Sequence, residues 1–166
     1  DSFYNALAGS GQINEVLAPV NRPDPCQPGD FPFFENNLAL NKPVRASRSL
    51  ESNPASQAVN GTSNDWWGAG DFAPQWIEID LGEPMTVGLI RLVTSQSPAG
   101  LTRHQLWAGS ARDSLSLVHT FEGNTYDLQT LEFAPETALE NVRYIRVLTK
   151  QSPSWISWRE IEVLTP

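Results

Sequence analysis

The sequence predicts an all-β protein, a sandwich or barrel of short antiparallel strands. Three observations carry that prediction. Residues 75–81 alternate strictly, with Ile77, Ile79 and Leu81 toward one face and Trp76, Glu78 and Asp80 toward the other. Further short apolar runs follow at close intervals, separated by Gly, Pro, Asn and Ser. No long segment carries the 3.6-residue period of an amphipathic helix, so layers of strands are the architecture left.

Residues 1–36 differ from the rest and read as an irregular N-terminal arm or linker. Pro19, Pro23, Pro25, Pro28 and Pro32 fall within one short stretch, and each removes a backbone donor and fixes φ. Residues 4–17 carry a weak helical pattern. Phe31, Phe33 and Phe34 are too apolar for a free linker, so they are expected to dock on the domain. The β pattern begins at Asn37 and defines a domain over 37–166. After the 75–81 strand, Gly82-Glu83-Pro84 reads as a turn. Strands are then expected at 87–94, 103–108, 115–121, 130–133, 142–148 and 160–164. Within the fifth of these, Ile145 and Val147 face inward while Arg143 and Arg146 lie on or near the outer surface. Val93-Thr94-Ser95-Gln96-Ser97-Pro98 echoes Leu148-Thr149-Lys150-Gln151-Ser152-Pro153, which predicts two similar loops at one end of the sandwich.

Composition removes several function classes. The 166-residue chain has a formal charge of −8, and Lys42 and Lys150 are its lysines. Phosphate contacts dominate nucleic-acid affinity, so nucleic acid is not an expected partner, and anionic lipid is disfavoured for the same reason. No run approaches the ~20 apolar residues of a membrane span, so no membrane insertion is expected. Cys26 is the single cysteine, which rules out an intrachain disulfide. Asp1 is not followed by the basic and apolar regions of a signal peptide, so any such peptide is expected to lie outside this sequence. There is no Gly-x-Ser-x-Gly elbow and no phosphate-cradling glycine loop. Glu160 and Glu162 share one strand face instead of flanking a groove as glycosidase carboxylates do. The protein is therefore predicted not to be an enzyme.

The residues from 37 to 164 resemble the discoidin, or coagulation factor V/VIII C-type, domain family. Asn37-Leu38-Ala39-Leu40-Asn41-Lys42-Pro43-Val44-Arg45-Ala46-Ser47 is similar to its opening strand, and Ala58-Val59-Asn60-Gly61 through Trp66-Trp67 to its following loop. Pro74-Gln75-Trp76-Ile77-Glu78-Ile79-Asp80-Leu81-Gly82 is similar to its most recognisable strand. Val142-Arg143-Tyr144-Ile145-Arg146-Val147 and Glu160-Ile161-Glu162-Val163 resemble its closing strands. The resemblance implies an eight-stranded antiparallel jelly roll, galactose-binding-domain-like, with ligand loops at one end. Bacterial family 32 carbohydrate-binding modules are the members it most suggests, which implies a secreted or cell-surface bacterial setting and a glycan or polysaccharide partner. The animal members' terminal disulfide is missing, and Asn60 stands where their loop usually has Asp.

Many family members hold a structural calcium between that loop and the last strand. Asn60, Thr62, Asn64, Asp65 and Glu160 offer the oxygen donors calcium takes, although Asn60 brings one charge fewer than Asp. The same side chains can instead simply cap the loop. Zinc is not expected, because Cys26, His104 and His119 lack ligand spacing.

A sugar site needs an exposed aromatic ring for the C–H face and polar partners for the hydroxyls. The candidates are Trp66, Gln96, Arg103, His104, Lys150 and Trp155. Trp66 and Trp67 point opposite ways if extended; Trp67 matches the family's core Trp, which leaves Trp66 to the loop. Trp76 and Trp107 lie within strands and read as packing, and Trp158 is placed to close the core just before the last strand. The predicted function is a non-catalytic carbohydrate-binding module or lectin-like domain. The alternative is a protein-interaction or adhesion domain of the same fold, contacting neighbouring domains or another chain through the arm and Cys26.

Overall fold

The computed structural model describes residues 37–166; the expected arm over 1–36, with Cys26, Phe31, Phe33 and Phe34, lies outside them. The described chain forms nine strands: β1 (Val44–Ala46), β2 (Trp67–Gly68), β3 (Gln75–Val87), β4 (Leu89–Thr94), β5 (Gly100–Gly109), β6 (Ser116–Thr125), β7 (Thr130–Phe133), β8 (Leu139–Gln151) and β9 (Ser157–Leu164). One sheet runs β1-β3-β8-β5-β6 and the other β2-β9-β4-β7, with antiparallel pairing throughout. The two-residue β2 is a ninth strand beyond the expected eight. A 3₁₀ turn at Ala55–Val59 stands between β1 and β2.

The alternation read from the sequence sets which residues meet between the sheets. Ile77, Ile79 and Leu81 of β3 pack with Ile90 and Leu92 of β4, Leu106 of β5, Ile145 and Val147 of β8, and Ile161 and Val163 of β9. Each such side chain removed from water contributes about 1.5–3 kcal/mol, so the core arises from the two inner faces together. Trp67 and Trp158 face each other across the β2–β9 ladder and are both fully buried. Trp67 keeps its indole N–H satisfied by donating to Arg48 O and Ser49 Oγ, both at 3.0 Å. Trp158 lies inside β9, not before it, so the last strand is longer than its apolar run suggested.

Gly82-Glu83-Pro84 is not a turn that ends a strand. β3 continues through it to Val87 and stays paired with β8, with register shifts between Asp80 and Val87. Gly82 takes φ +91°, which lets the strand bulge and resume without a hairpin. The actual crossing between sheets is at Gly88, whose N–H donates to Leu164 O at 2.8 Å. A Cβ there would lie 2.5 Å from Pro166 Cα, so the C-terminal backbone fits only against glycine.

The antiparallel order gathers one set of strand ends. β4, β6 and β8 finish where β3, β5, β7 and β9 begin, as the pairs Thr94↔Trp158, Gly100↔Thr125 and Gln75↔Thr149 show. The two echoing loops, 95–99 and 152–156, leave β4 and β8 at this same end.

Candidate ligand cleft

A cleft of about 480 Å³ opens between the loops at that end. Trp66 and Phe72, which flank β2, line one part of it. The 95–98 loop, Asp127, and the loop from Pro153 to Trp155 line the remainder, with Ser157 and Arg159 of β9. Three large rings stand partly free in water here: Trp66 at 37%, Phe72 at 53% and Trp155 at 53% exposure. Exposed apolar rings beside polar groups in a concavity are what a sugar face needs.

Trp155 is turned outward by its neighbours. Ser154 and Ile156 on either side are buried, and Trp155 between them is left toward solvent. Ile156 N–H donates to Asp71 O at 3.0 Å, and Ala69 N–H donates to Ile156 O at 2.8 Å. Ser157 Oγ donates to Ser95 O at 2.8 Å and ties the start of β9 to the 95–99 loop. The ring thus stands on an anchored segment.

Asp127 is equally fixed. Thr94 Oγ1 donates to Tyr126 O at 2.6 Å and accepts from Gln129 N–H at 2.9 Å, while Leu128 N–H donates to Thr94 O at 3.1 Å. Leu128 takes φ +61°, a left-handed conformation unusual for leucine that this clamp sustains. Asp127 Oδ1 accepts from Gln96 N–H at 3.1 Å and Arg159 Nε at 3.2 Å, and Oδ2 accepts from Arg159 Nη2 at 2.9 Å. Its hydrogen bonds to Arg159 are the main reason the carboxyl is held below its usual pKa. Arg159 Nη1 donates to Ser63 O at 3.0 Å, and the guanidinium lies 5.3 Å from the Trp66 ring centroid.

Of the six ligand candidates, the structure brings Trp66, Gln96 and Trp155 to the cleft. The Gln96 amide is engaged within the loops: Nε2 donates to Thr125 O at 3.1 Å and Pro98 O at 3.3 Å, and Oε1 accepts from Thr125 Oγ1 at 2.5 Å. Its role is to shape the wall. Arg103, His104 and Lys150 do not line the cleft. Residues 102, 104 and 106 of β5 point inward, so Arg103 faces the outer side and pairs with Glu122 at 2.8 Å. Lys150 is exposed near the end of β8. Phe72, Asp127 and Arg159 line the cleft without having been singled out from the sequence.

His104 lies behind the cleft. It borders a recess of about 10 Å³, bonds Thr149 Oγ1 through Nδ1 at 2.8 Å, and meets the Trp158 ring edge-on at 4.7 Å. Burial pushes its pKa down to about 4. The folded protein therefore keeps it neutral, whereas the unfolded chain takes up a proton below about 6.5. The contribution to stability is complete above that value and is lost as pH falls toward 4, by about 3 kcal/mol. We expect the difference in unfolding free energy between the native protein and His104→Gln to fall by that order from pH 7 to pH 4, as measured by urea titration. A difference that does not vary with pH would contradict the burial argument.

The predicted metal loop folds beneath this end. Asn60 Nδ2 donates to both Asp65 oxygens at 3.0 and 2.9 Å, Thr62 N–H to Asn60 Oδ1 at 3.2 Å, and Asn64 N–H to Thr62 Oγ1 at 3.1 Å. Glu160 reaches it from β9: Oε1 accepts Gly61 N–H at 3.0 Å, while the buried Oε2 has no partner among the described residues. Burial, with the charges of Glu162 and Asp65 adding, pushes the Glu160 pKa up to about 8. Among the described residues no three His, Cys, Asp or Glu side chains cluster. The side-chain oxygens here are the carboxylates of Asp65 and Glu160, the Asn60 amide oxygen and the Thr62 hydroxyl. An orphaned buried carboxylate oxygen beside that all-oxygen set fits a hard cation such as calcium and does not fit zinc.

A sequence-family model described as F5/8 type C domain matches residues 43–161. None of the curated protein sequences compared with the chain matches it. Among solved structures, the chain is similar to chitosan-binding module 1 of a chitosanase/glucanase from Paenibacillus sp. IK-5, with 27% identity, 76% of this chain and 97% of that one covered, and a TM-score of 0.65. It is similar to the family 32 module of NanJ from C. perfringens, solved in complex with galactose, at 20% identity, 77% and 97% coverage and a TM-score of 0.65. The lectin domain of lectinolysin, solved with Lewis B antigen, matches at 19% identity, 80% and 98% coverage and a TM-score of 0.65. Among the described residues no helix is long and apolar enough to cross a membrane.

Proposed function

Because the chain belongs to the F5/8 type C domain family, we propose that it is a non-catalytic carbohydrate-binding domain whose ligand lodges in the cleft between the strand-end loops. The observation that carries this reading is the meeting of three partly exposed rings, Trp66, Phe72 and Trp155, with the ordered Asp127–Arg159 pair in one concavity. Rings accept the C–H face of a sugar, and the surrounding hydroxyls and carboxylate supply directional hydrogen bonds. The similar chitosan-binding module, and the similar domains solved with galactose and with Lewis B antigen, support the ligand class. A secreted or surface setting follows the same reading. A glycan array followed by calorimetry tests it: binding to at least one glycan at millimolar concentration or tighter is expected. A folded protein that binds nothing across the array would sink the proposal and favour the protein-interaction alternative.

Calcium belongs to the same reading as a structural ion. Asp65 and Glu160, with oxygens of Asn60 and Thr62, would hold it, and it would tie the loop to β9 and so steady the cleft end. An affinity in the range of about 10⁻⁴–10⁻³ M is expected for such a low-charge site. At roughly 10 mM calcium this stabilises the fold by about 1–3 kcal/mol and raises Tm by several degrees over the chelated protein. Asp65→Ala should remove the shift. An identical Tm in calcium and in chelator would leave the polar side chains as loop caps alone.

A further inference from the structure

We propose that Asp127 makes the cleft a charge filter, which admits uncharged sugars and turns away those bearing carboxylates. This specificity rests on the carbohydrate reading above. Arg159 and Asp127 are the charged residues among the described residues lining the cleft. They are unequally available: the Arg159 side chain is 16% exposed and the Asp127 side chain 39%. Nε and Nη2 of Arg159 are committed to Asp127, Nη1 to Ser63 O, and the guanidinium is covered by the Trp66 ring. The cation is thus turned inward, and a ligand meets the negative end of the pair, the carboxylate oxygens.

The remaining cations among the described residues do not supply a substitute. Lys42 and Lys150 lie outside the cleft lining, and Arg48 is paired with Asp71, the residue before Phe72. An ionised carboxylate accepts hydrogen bonds and donates none, so it suits sugar hydroxyls and has nothing to offer a second carboxylate. A uronate in the cleft would therefore face like charge in a partly desolvated site with no free partner. Such juxtaposition is a repulsive element that separates ligands of the same shape.

Matched sugars isolate this effect. Galacto-, gluco- and manno-configured trisaccharides and their uronate counterparts share ring stereochemistry and differ at C6, where the uronate has a carboxylate. Calorimetry on the intact protein at low salt should find a neutral trisaccharide that binds and a uronate counterpart weaker by at least ~10-fold. The gap should narrow as salt rises and screens the repulsion. Asp127→Asn removes the anion and frees the Arg159 charge, so the ratio of uronate to neutral affinity should rise at least ~5-fold. If that variant does not fold, the salt series on the unaltered protein decides alone. Equal binding of the two members of a pair, a uronate that binds more tightly, or a gap indifferent to salt would overturn the filter while leaving carbohydrate binding in place. Binding of neither kind would overturn both.

Discussion

Replacing Trp155 with alanine is expected to weaken glycan binding about thirtyfold or more while leaving the fold intact. The ring is half exposed, so its loss removes little buried area from the folded protein. Its neighbours Ser154 and Ile156 are anchored through backbone and side-chain bonds that the substitution does not touch. Tm should therefore move by no more than about 2 °C. In the complex the ring is covered by sugar on one face, and truncating a central aromatic anchor typically costs about 2 kcal/mol or more, which is the thirtyfold loss. Calorimetry with the best glycan from the array, beside a thermal melt, reads both quantities. Unchanged affinity with unchanged Tm would place the binding surface elsewhere on the domain.

Much of this site was legible in the sequence for a simple reason. Alternation has a period of two, so of a pair such as Trp66-Trp67 at most one ring enters the core, and the family resemblance implies that it is Trp67. The same rule, applied to β5, places His104 inside with Thr102 and Leu106; its polarity had suggested a ligand contact, and the strand period decides otherwise. The repeated Gln-Ser-Pro loops correctly predicted one common end. Asp127 and Arg159 were not legible, because their pairing depends on β6–β7 and β9 converging across 32 positions, and neither carries a local motif. Phe72 gives no periodic signal within its turn-rich segment. Gly82-Glu83-Pro84 misled for the opposite reason: its residues are those of a turn, yet the long β3–β8 ladder absorbs them as a bulge.

Glu78 carries a large stability effect outside the hydrophobic core. The alternation of β3 places it on the outer face of the five-stranded sheet, and the structure buries it there, 1% exposed, beneath three arginines. Arg45 Nη2 and Arg112 Nε donate to Oε1 at 2.9 and 3.0 Å, and Arg146 donates to Oε2 through Nε at 3.0 Å and also through Nη2. Trp76 and Tyr144 flank these cations, with ring centroids 4.9 Å from Arg146 and 4.7 Å from Arg112. Burial alone would raise the pKa of Glu78; the bonds from Arg146 and Arg45 outweigh it and hold the carboxyl below its usual value. Glu78→Gln keeps the shape but leaves Arg45 and Arg146 without an anion, while Arg112 keeps the Asp80 carboxylate at 3.7 Å. Breaking a buried pair costs about 3–5 kcal/mol, and because these arginines are themselves one-third to one-half exposed the loss should be about 2–3 kcal/mol. At neutral pH this lowers the urea midpoint by about 1–2 M with little change in slope. The sign of the pH dependence follows from the depressed pKa: the contribution is present above about 4.3 and disappears as pH falls through the folded-state value. The gap between native and Glu78→Gln proteins should accordingly narrow near pH 3. A variant as stable as the native protein at pH 7 would mean that the arginines hold this face through their aromatic contacts alone.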